Sequence, residues 1–276
     1  EITDVEDVAS ALTTEIAVQP QHGTASVTGG GASRTWTYTP EANYNGTDSF
    51  RVRIQDTEGG ISYAQINLVV TPVNDPPSAP DAVTLDKLHY IDASAGTGPQ
   101  VVVTFGRGTD MDGETSQQDM RYEIQVAYDG TTWQTLETNY APANWEQTSY
   151  AYSFTAAAGK NTDALRVQVR SVDQGVGTPA VQRSAYTQSG AHKIDNTPPA
   201  ISYTLSPKLP TYTNGSVTGT VTVTDTGAGS TGVAEIKLDG ATVGSADFTA
   251  TQNGTFTIWA IDEAGNESEI EIEVTN

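Results

Sequence analysis

The sequence predicts an all-β protein, and three observations carry the prediction. Val, Thr, Tyr and Ile are plentiful, Gly stands at 26 and Met at 2 among 276 residues, and no long run sets apolar residues at the i, i+3, i+4 helical spacing. One pattern occurs three times, as "DSFRVRIQDTEGG" (48–60), "DALRVQVRSVDQGVG" (163–177) and "GTFTIWAIDEAGN" (254–266). Each is a period-2 strand with one apolar face that closes on an Asp and a Gly-containing turn. Proline pairs in "TPVNDPPSAP" (71–80) and "KIDNTPPAIS" (193–202) punctuate the chain between the copies.

A proline pair imposes a stiff, extended backbone, so both segments read as linkers rather than flexible tethers. They divide the chain into three expected antiparallel β-sandwiches at 1–77, 78–197 and 198–276. In the first, "ISYAQINLVV" (61–70) follows the repeated hairpin as its closing strand. That module is short for a sandwich and lacks a first strand or two. Its opening "EITDVEDVAS" reads as the middle of something, and a fragment of a longer protein is expected. The second module carries strands in "RYEIQVAYDGTTWQTL" (121–136), "LRVQVRSVD" (165–173) and "AVQRSAYTQS" (180–189). The third runs from "ISYTLSP" (201–207) through "VTGTVTVTD" (217–225) and "VAEIKLDG" (233–240) to "SEIEIEVTN" (268–276).

The net charge is -21, from 34 acids against 13 bases. Such a surface repels phosphate backbones and anionic lipid and attracts divalent cations, so nucleic acid is excluded as a partner. No cysteine is present, which removes disulfide and thiol chemistry and leaves the redox compartment open. No apolar run reaches the roughly 18 residues that cross a bilayer, so membrane insertion by a helix is not expected.

The acids are placed, not scattered. Upstream of each repeated hairpin lies a second acidic loop: "ITDVED" (2–7), "GTDMDGE" (108–114) and "VTDTGAG" (223–229). In an antiparallel sandwich the connection between the second and third strands and the last hairpin turn lie at one end. Asp4, Glu6 and Asp56 then share a pole of the first module. Asp110, Asp112 and Asp173 share a pole of the second, and Asp225 and Asp262 a pole of the third. Each incoming linker arrives at that pole, bringing Asn74 and Asp75 to the second module and Asp195 and Asn196 to the third. Carboxylates gathered this way repel one another, and a cation reverses the sign. Calcium, which takes about 6 to 8 oxygen ligands in irregular geometry, suits Asp, Asn and Glu in loops. Zinc would need His or Cys at ligand spacing, and His22, His89 and His192 lie far apart. The competing role for any single Asp is to cap a β-turn by accepting backbone N–H groups.

These residues carry a resemblance. The motif "YTPEANYNGTDSF…VNDPP" in residues 4–77 resembles bacterial cadherin-like tandem repeats of large secreted and surface proteins. The resemblance implies calcium between domains, held at the first junction by Asn74, Asp75, Asp110, Asp112 and Asp173, with Asp195, Asp225 and Asp262 as the weaker counterpart at the second. Residues 78–194 look like a fibronectin type III domain, which usually needs no calcium. Residues 198–276, with "NGTFTIWAIDEAGNES", are similar to bacterial Ig-like domains of cell-wall and S-layer-associated proteins. The acidic D-x-E motif of the cadherin family has no clear match here, although Asn43 and Asn45 lie nearby.

Catalytic motifs are weak. "GAGSTG" (227–232) fits G-x-G-x-x-G but is followed by a β-like stretch rather than the helix that a dinucleotide needs. "DMDGE" leaves Gly108 at the first ligand position of an EF-hand loop. No histidine sits beside a nucleophile and an acid. The N-G-T/S triplets at Asn45, Asn214 and Asn253 read as hairpin turns. Trp133 and Trp145, with Tyr140, Tyr150 and Tyr152, cluster in the second module as core or as a sugar-stacking face, whereas Trp36 and Trp259 are expected in the core. The chain is therefore expected to be a non-enzymatic, calcium-stiffened rod of modules roughly 35 to 45 Å long each. It would extend or present other domains of a bacterial extracellular or cell-surface protein, with neighbouring domains of the same chain as its partners. Glycan or surface-protein contacts are open: the alternative is a carbohydrate-binding or spacer segment of a polysaccharide-degrading enzyme, and a third reading is an adhesin tip.

Overall fold

The strong period-2 alternation of the sequence becomes strand throughout. A computed structural model describes residues 11–30, 33–92, 96–110, 118–174, 181–208 and 215–275, and its elements are all β-strands. Contacts divide the chain into two compact units, one formed by residues 1–76, 110–116 and 174–182 and the other by the remainder. Asp4, Glu6 and Asp112 lie outside the described residues.

The first unit holds β1 (Thr13–Val18), β2 (Gly23–Gly30), β3 (Ser33–Pro40), β4 (Gly46–Gln55) and β5 (Ile61–Val70). They form an antiparallel sheet of order β1-β4-β5 and a β2-β3 hairpin. Ala25, Phe50 and Val52 are buried between them, with Ile16, Trp36, Ala64, Ile66 and Leu68 packed around. Trp36 thus joins this core, as expected. Asp48 ties the two layers together. Its carboxylate accepts the N–H groups of Gln21 (3.1 Å) and His22 (3.0 Å) and the hydroxyl of Tyr38 (3.0 Å). Asp56, expected at an acidic pole, caps its own turn by accepting the Gly60 N–H at 2.6 Å.

The second unit contains two hydrophobic clusters. The first is built by β6 (Val83–Leu85), β7 (His89–Tyr90), β8 (Gln100–Gly106), β9 (Arg121–Ala127), β10 (Gln134–Tyr140), β11 (Ser149–Thr155), β12 (Thr162–Val172), β13 (Thr187–Gln188) and β14 (His192–Ile194). One sheet runs β10-β9-β12-β14-β7 with β13 paired to β12, and the other runs β11-β8-β6. Tyr122, Ile124 and Val126 from β9 and Leu165, Val167 and Val169 from β12 alternate into the space between them, all at most 1% exposed. The described part of the "AVQRSAYTQS" stretch is less regular than its composition suggests: it pairs as β13 and a bridge between Val172 and Arg183, with the Ser184 and Ser189 N–H groups donating to the Ser171 (3.0 Å) and Val167 (2.8 Å) carbonyls. Serine hydroxyls replace the missing carbonyls, since Ser184 Oγ accepts the Ser171 N–H (2.9 Å) and Ser189 Oγ accepts the Val167 N–H (3.0 Å).

The other cluster is built by β15 (Ala200–Ser206), β16 (Val217–Thr224), β17 (Val233–Leu238), β18 (Ala241–Val243), β19 (Phe248–Ala250), β20 (Gly254–Asp262) and β21 (Glu267–Val274). Sheets of order β15-β16-β19 and β18-β17-β20-β21 enclose Val217, Phe248, Ile258, Ile272 and Val274. Phe248 and Phe256 stack at 4.0 Å within it.

Candidate metal centre

Three segments of the second unit meet at one end of the last cluster. Asp195 follows β14 in the linker, Asp225 follows β16, and Asp262 ends β20. One carboxylate oxygen from each lies within 4.8 Å of the others. Asp195 and Asp262 are 0% and 1% exposed, so water does little to screen their repulsion.

Each carboxylate first does the local work that Asp does in turns. Asp262 Oδ1 accepts the N–H groups of Gly265 (2.7 Å) and Asn266 (2.9 Å), closing the β20–β21 turn. Asp225 Oδ2 accepts the Gly232 N–H (2.7 Å), the Thr231 N–H (3.1 Å) and the Ser230 hydroxyl (2.9 Å), shaping the loop between β16 and β17. Asp195 Oδ1 accepts the Thr197 N–H (3.1 Å) just ahead of the proline pair. The turn-capping role and the convergence are thus both present in the same side chains.

Cross-links then join the segments. Thr231 donates to Asp195 Oδ2 through its N–H (2.9 Å) and its hydroxyl (3.0 Å). Asn266 Nδ2 donates to the Asp195 carbonyl (2.9 Å) and to Asp262 Oδ2 (2.8 Å). Lys193 Nζ donates to the Ser230 carbonyl at 2.6 Å. Gly229, at φ +84°, lets the loop press against the preceding cluster: a Cβ there would sit 2.2 Å from the Ile194 carbonyl oxygen and 2.8 Å from the Thr162 nitrogen.

Asp225 Oδ1 is different. It is buried and has no hydrogen-bond partner. Leaving such an oxygen unpaired costs about 1–3 kcal/mol, more when charged, and among the described residues no Lys, Arg or His pairs with any of the three carboxylates. An orphaned carboxylate oxygen beside two more carboxylates, in an oxygen-only environment, fits a hard divalent cation better than any softer metal. The three Asp side chains would supply part of the roughly 6 to 8 oxygens that calcium takes, with backbone carbonyls and water completing the shell.

Of the residues that sequence reasoning singled out, Asp195, Asp225 and Asp262 come together. Asn196 does not join them. Its Oδ1 accepts the Asp92 N–H (2.6 Å) and its Nδ2 donates to the Lys160 carbonyl (2.8 Å), so it braces the linker against the preceding cluster. Thr231 and Asn266 were missed. Asn266, the fourth residue after Asp262 in "DEAGN", carried a signal as an amide in an acidic turn, whereas Thr231 carried none.

The set assigned to the first junction is distributed differently. Asn74, Asp75 and Asp110 belong to the first unit and Asp173 to the second. Asn74 is 1% exposed, and its carbonyl accepts Gln182 Nε2 at 2.9 Å. Asp75 borders a concavity of about 210 Å³ that Glu41, Asn43 and Asn45 also line. Asp173 is fully buried at the end of β12.

The aromatic residues also sort themselves. Phe105 lies 5.0 Å from Tyr122 and 6.0 Å from Tyr150, and Tyr140 meets Tyr152 at 5.4 Å. Tyr140, Tyr150 and Tyr152 are therefore part of the core or packed on it, and burial raises the pKa of all three hydroxyls. Trp145 is 41% exposed, and its backbone carbonyl accepts the Tyr150 hydroxyl at 2.9 Å. Trp259 is not in the core: it lies on the outer face of β20, with Ile258 and Ala260 turned inward.

Among solved structures, the chain is similar to that of a 1.5-MDa bacterial ice-binding adhesin, with 13% identity over 97% of this chain and 91% of that one and a TM-score of 0.43. It is also similar to domains 1–4 of Drosophila N-cadherin, with 11% identity over 99% and 69% and a TM-score of 0.35. A third likeness is to a tetra-tandem repeat in the extending region of a large adhesion protein, with 14% identity over 97% and 71% and a TM-score of 0.28. No curated protein sequence matches the chain. Over residues 2–69 the sequence matches the family model described as Bacterial Ig domain.

Proposed function

We propose that this chain is a non-catalytic extender of a large bacterial cell-surface or secreted protein. It would be built of sandwiches at 1–77, 78–197 and 198–276 and stiffened by calcium where a linker meets the sandwich that follows it. The observation that carries the reading is the convergence of Asp195, from a linker, with Asp225 and Asp262, from the loops of the next cluster. A cation there binds the linker and the cluster at once, so metal affinity becomes angular stiffness. The Bacterial Ig domain match supports a spacing or binding module over residues 2–69. Asn74, Asp75, Asp110, Asp112 and Asp173 are proposed to do the same at the first linker.

The test is thermal unfolding with calcium and with chelator, for the native chain and for Asp225→Asn. Calcium is expected to raise the unfolding temperature of the second unit of the native chain by several degrees and to leave the variant unmoved. A native transition indifferent to calcium, with no bound metal by equilibrium dialysis, would refute the site.

A further inference from the structure

On the outer face of the β18-β17-β20-β21 sheet, the register sets Thr242, Lys237, Trp259 and Glu269 in one row across four strands. The row on one side holds Glu235, Ile261 and Glu267, and on the other Thr257 stands beside Glu271. Lys237 Nζ sits 4.2 Å over the Trp259 ring and 3.5 Å from Glu235 Oε2. The indole Nε1–H points at Glu267 Oε2 at 3.4 Å. Beside the ring lies a concavity of about 520 Å³ lined by Lys237, Asp239, Gly240, Thr257, Trp259 and Glu269.

One wall of this concavity is fixed. Asp239 and Gly240, at φ +51° and +81°, make the two-residue turn between β17 and β18, and Asp239 Oδ1 accepts the Thr257 N–H at 2.8 Å. Gly240 has nothing within 4 Å of where a Cβ would be, so the mouth stays open on that side. Of the β21 acids Glu269 lines the concavity, and the others flank it along the strand. Glu267, Glu269, Glu271 and Glu273 stand at every second position of β21, all exposed and about 7 Å apart along the strand. Residues 198–276 contain two lysines, no arginine and ten acids.

We propose that this face receives the ammonium groups of an extended, lysine-bearing peptide segment, one lysine seating on Trp259 and the next meeting the β21 glutamates. The intramolecular Lys237–Trp259 pair already displays the chemistry, because the face of an indole surrounded by carboxylates is a favourable seat for an alkylammonium. Charge selects the partner: six acids (Glu235, Asp239, Glu267, Glu269, Glu271 and Glu273) against one lysine repel anionic chains and attract cationic ones. Period fits as well, since lysines at alternate positions of an extended segment share the two-residue spacing of the glutamates. Lys237 then acts as an internal competitor that a ligand must displace.

Tetralysine titrated into the full chain by calorimetry, with cellotetraose as the uncharged comparison, decides the matter. Tetralysine is expected to bind with affinity that falls with salt. Trp259→Leu should weaken it about three- to fivefold, the loss of one cation–π contact on an open face. Lys237→Ala should strengthen it severalfold by freeing the ring. Folding of both variants is checked by their circular dichroism, and Trp259→Phe, which retains an aromatic face, should keep part of the affinity. Equal binding by Trp259→Leu would reduce the effect to diffuse charge and overturn the proposal. Weaker binding by Lys237→Ala, absence of binding, or uptake of cellotetraose instead would overturn it as well.

Discussion

Thr231 gives both of its donors to a single oxygen of Asp195, the backbone N–H at 2.9 Å and the hydroxyl at 3.0 Å. The same hydroxyl accepts the N–H of Ala264 at 3.1 Å, so one side chain joins the linker, the loop after β16 and the turn after β20. Thr231→Val keeps the shape and removes the hydroxyl. The variant should lose about 1–3 kcal/mol of stability, since a buried carboxylate loses a donor and a backbone N–H loses its acceptor. Urea unfolding followed by circular dichroism measures it.

Gly229 should tolerate no side chain. Its positive φ and the 2.2 Å approach of the Ile194 carbonyl oxygen mean that Gly229→Ala moves backbone rather than a flexible tip. The expected cost is about 2–3 kcal/mol. Proteolysis should then become faster at the linker around residues 195–199, while cleavage elsewhere keeps its native rate.

Glu123 gives the second unit an acid-sensitive element. Burial pushes its pKa up, but the Tyr186 hydroxyl, the Arg170 guanidinium (2.6 and 2.9 Å) and the charge of Arg183 outweigh burial and hold it below the ordinary glutamate value of 4.5. A depressed folded-state pKa contributes stability that is fully present above 4.5 and lost as pH falls through the lower, folded value. Arg170→Met should therefore cost about 2–3 kcal/mol at pH 7, because Glu123 stays buried with fewer partners. The gap between variant and native chain should narrow as pH falls below 4.5 and Glu123 protonates. Melting temperatures across pH 3–7 check the sign as well as the size.

In the first unit, Tyr38→Phe removes a hydroxyl that donates to Asp48 at 3.0 Å. That bond and burial push the Tyr38 pKa up to about 12, burial being the larger cause. The variant should unfold the first unit at lower temperature and leave the transition of the second unmoved, as calorimetry would resolve. Asp48→Ala should do more harm, because the Gln21 and His22 N–H groups lose their acceptor too.

The fold was legible because alternation in a half-buried strand is a direct imprint of burial. "RVQVR" buries Val167 and Val169 and leaves Arg166 and Arg170 half-buried, while Gln168 between the valines is buried too, its amide bonded to Gln125 Oε1 at 2.7 Å. The grouping of Asp195, Asp225 and Asp262 was legible for a topological reason, since loops at one pole of a sandwich must be neighbours. Trp259 was misread because "FTIWAI" is apolar on both faces over its second half, and parity there is decided by pairing with β17 and β21 rather than by composition. Asn196 was misread because adjacent residues in an extended linker point opposite ways, and only one of Asp195 and Asn196 could face forward. Thr231 was invisible for a simpler reason: half of what it contributes is a backbone N–H, which every residue but proline owns.

The glutamates of β21 have a further effect. β21 is the outermost strand of its sheet, and an outer strand offers unpaired backbone groups to any other chain that comes alongside. A second copy docking its own β21 there would bring two rows of four carboxylates into register, parallel or antiparallel, with like charges opposed at each step. Copies of this protein packed densely side by side would thus slide past one another instead of fusing into a continuous sheet.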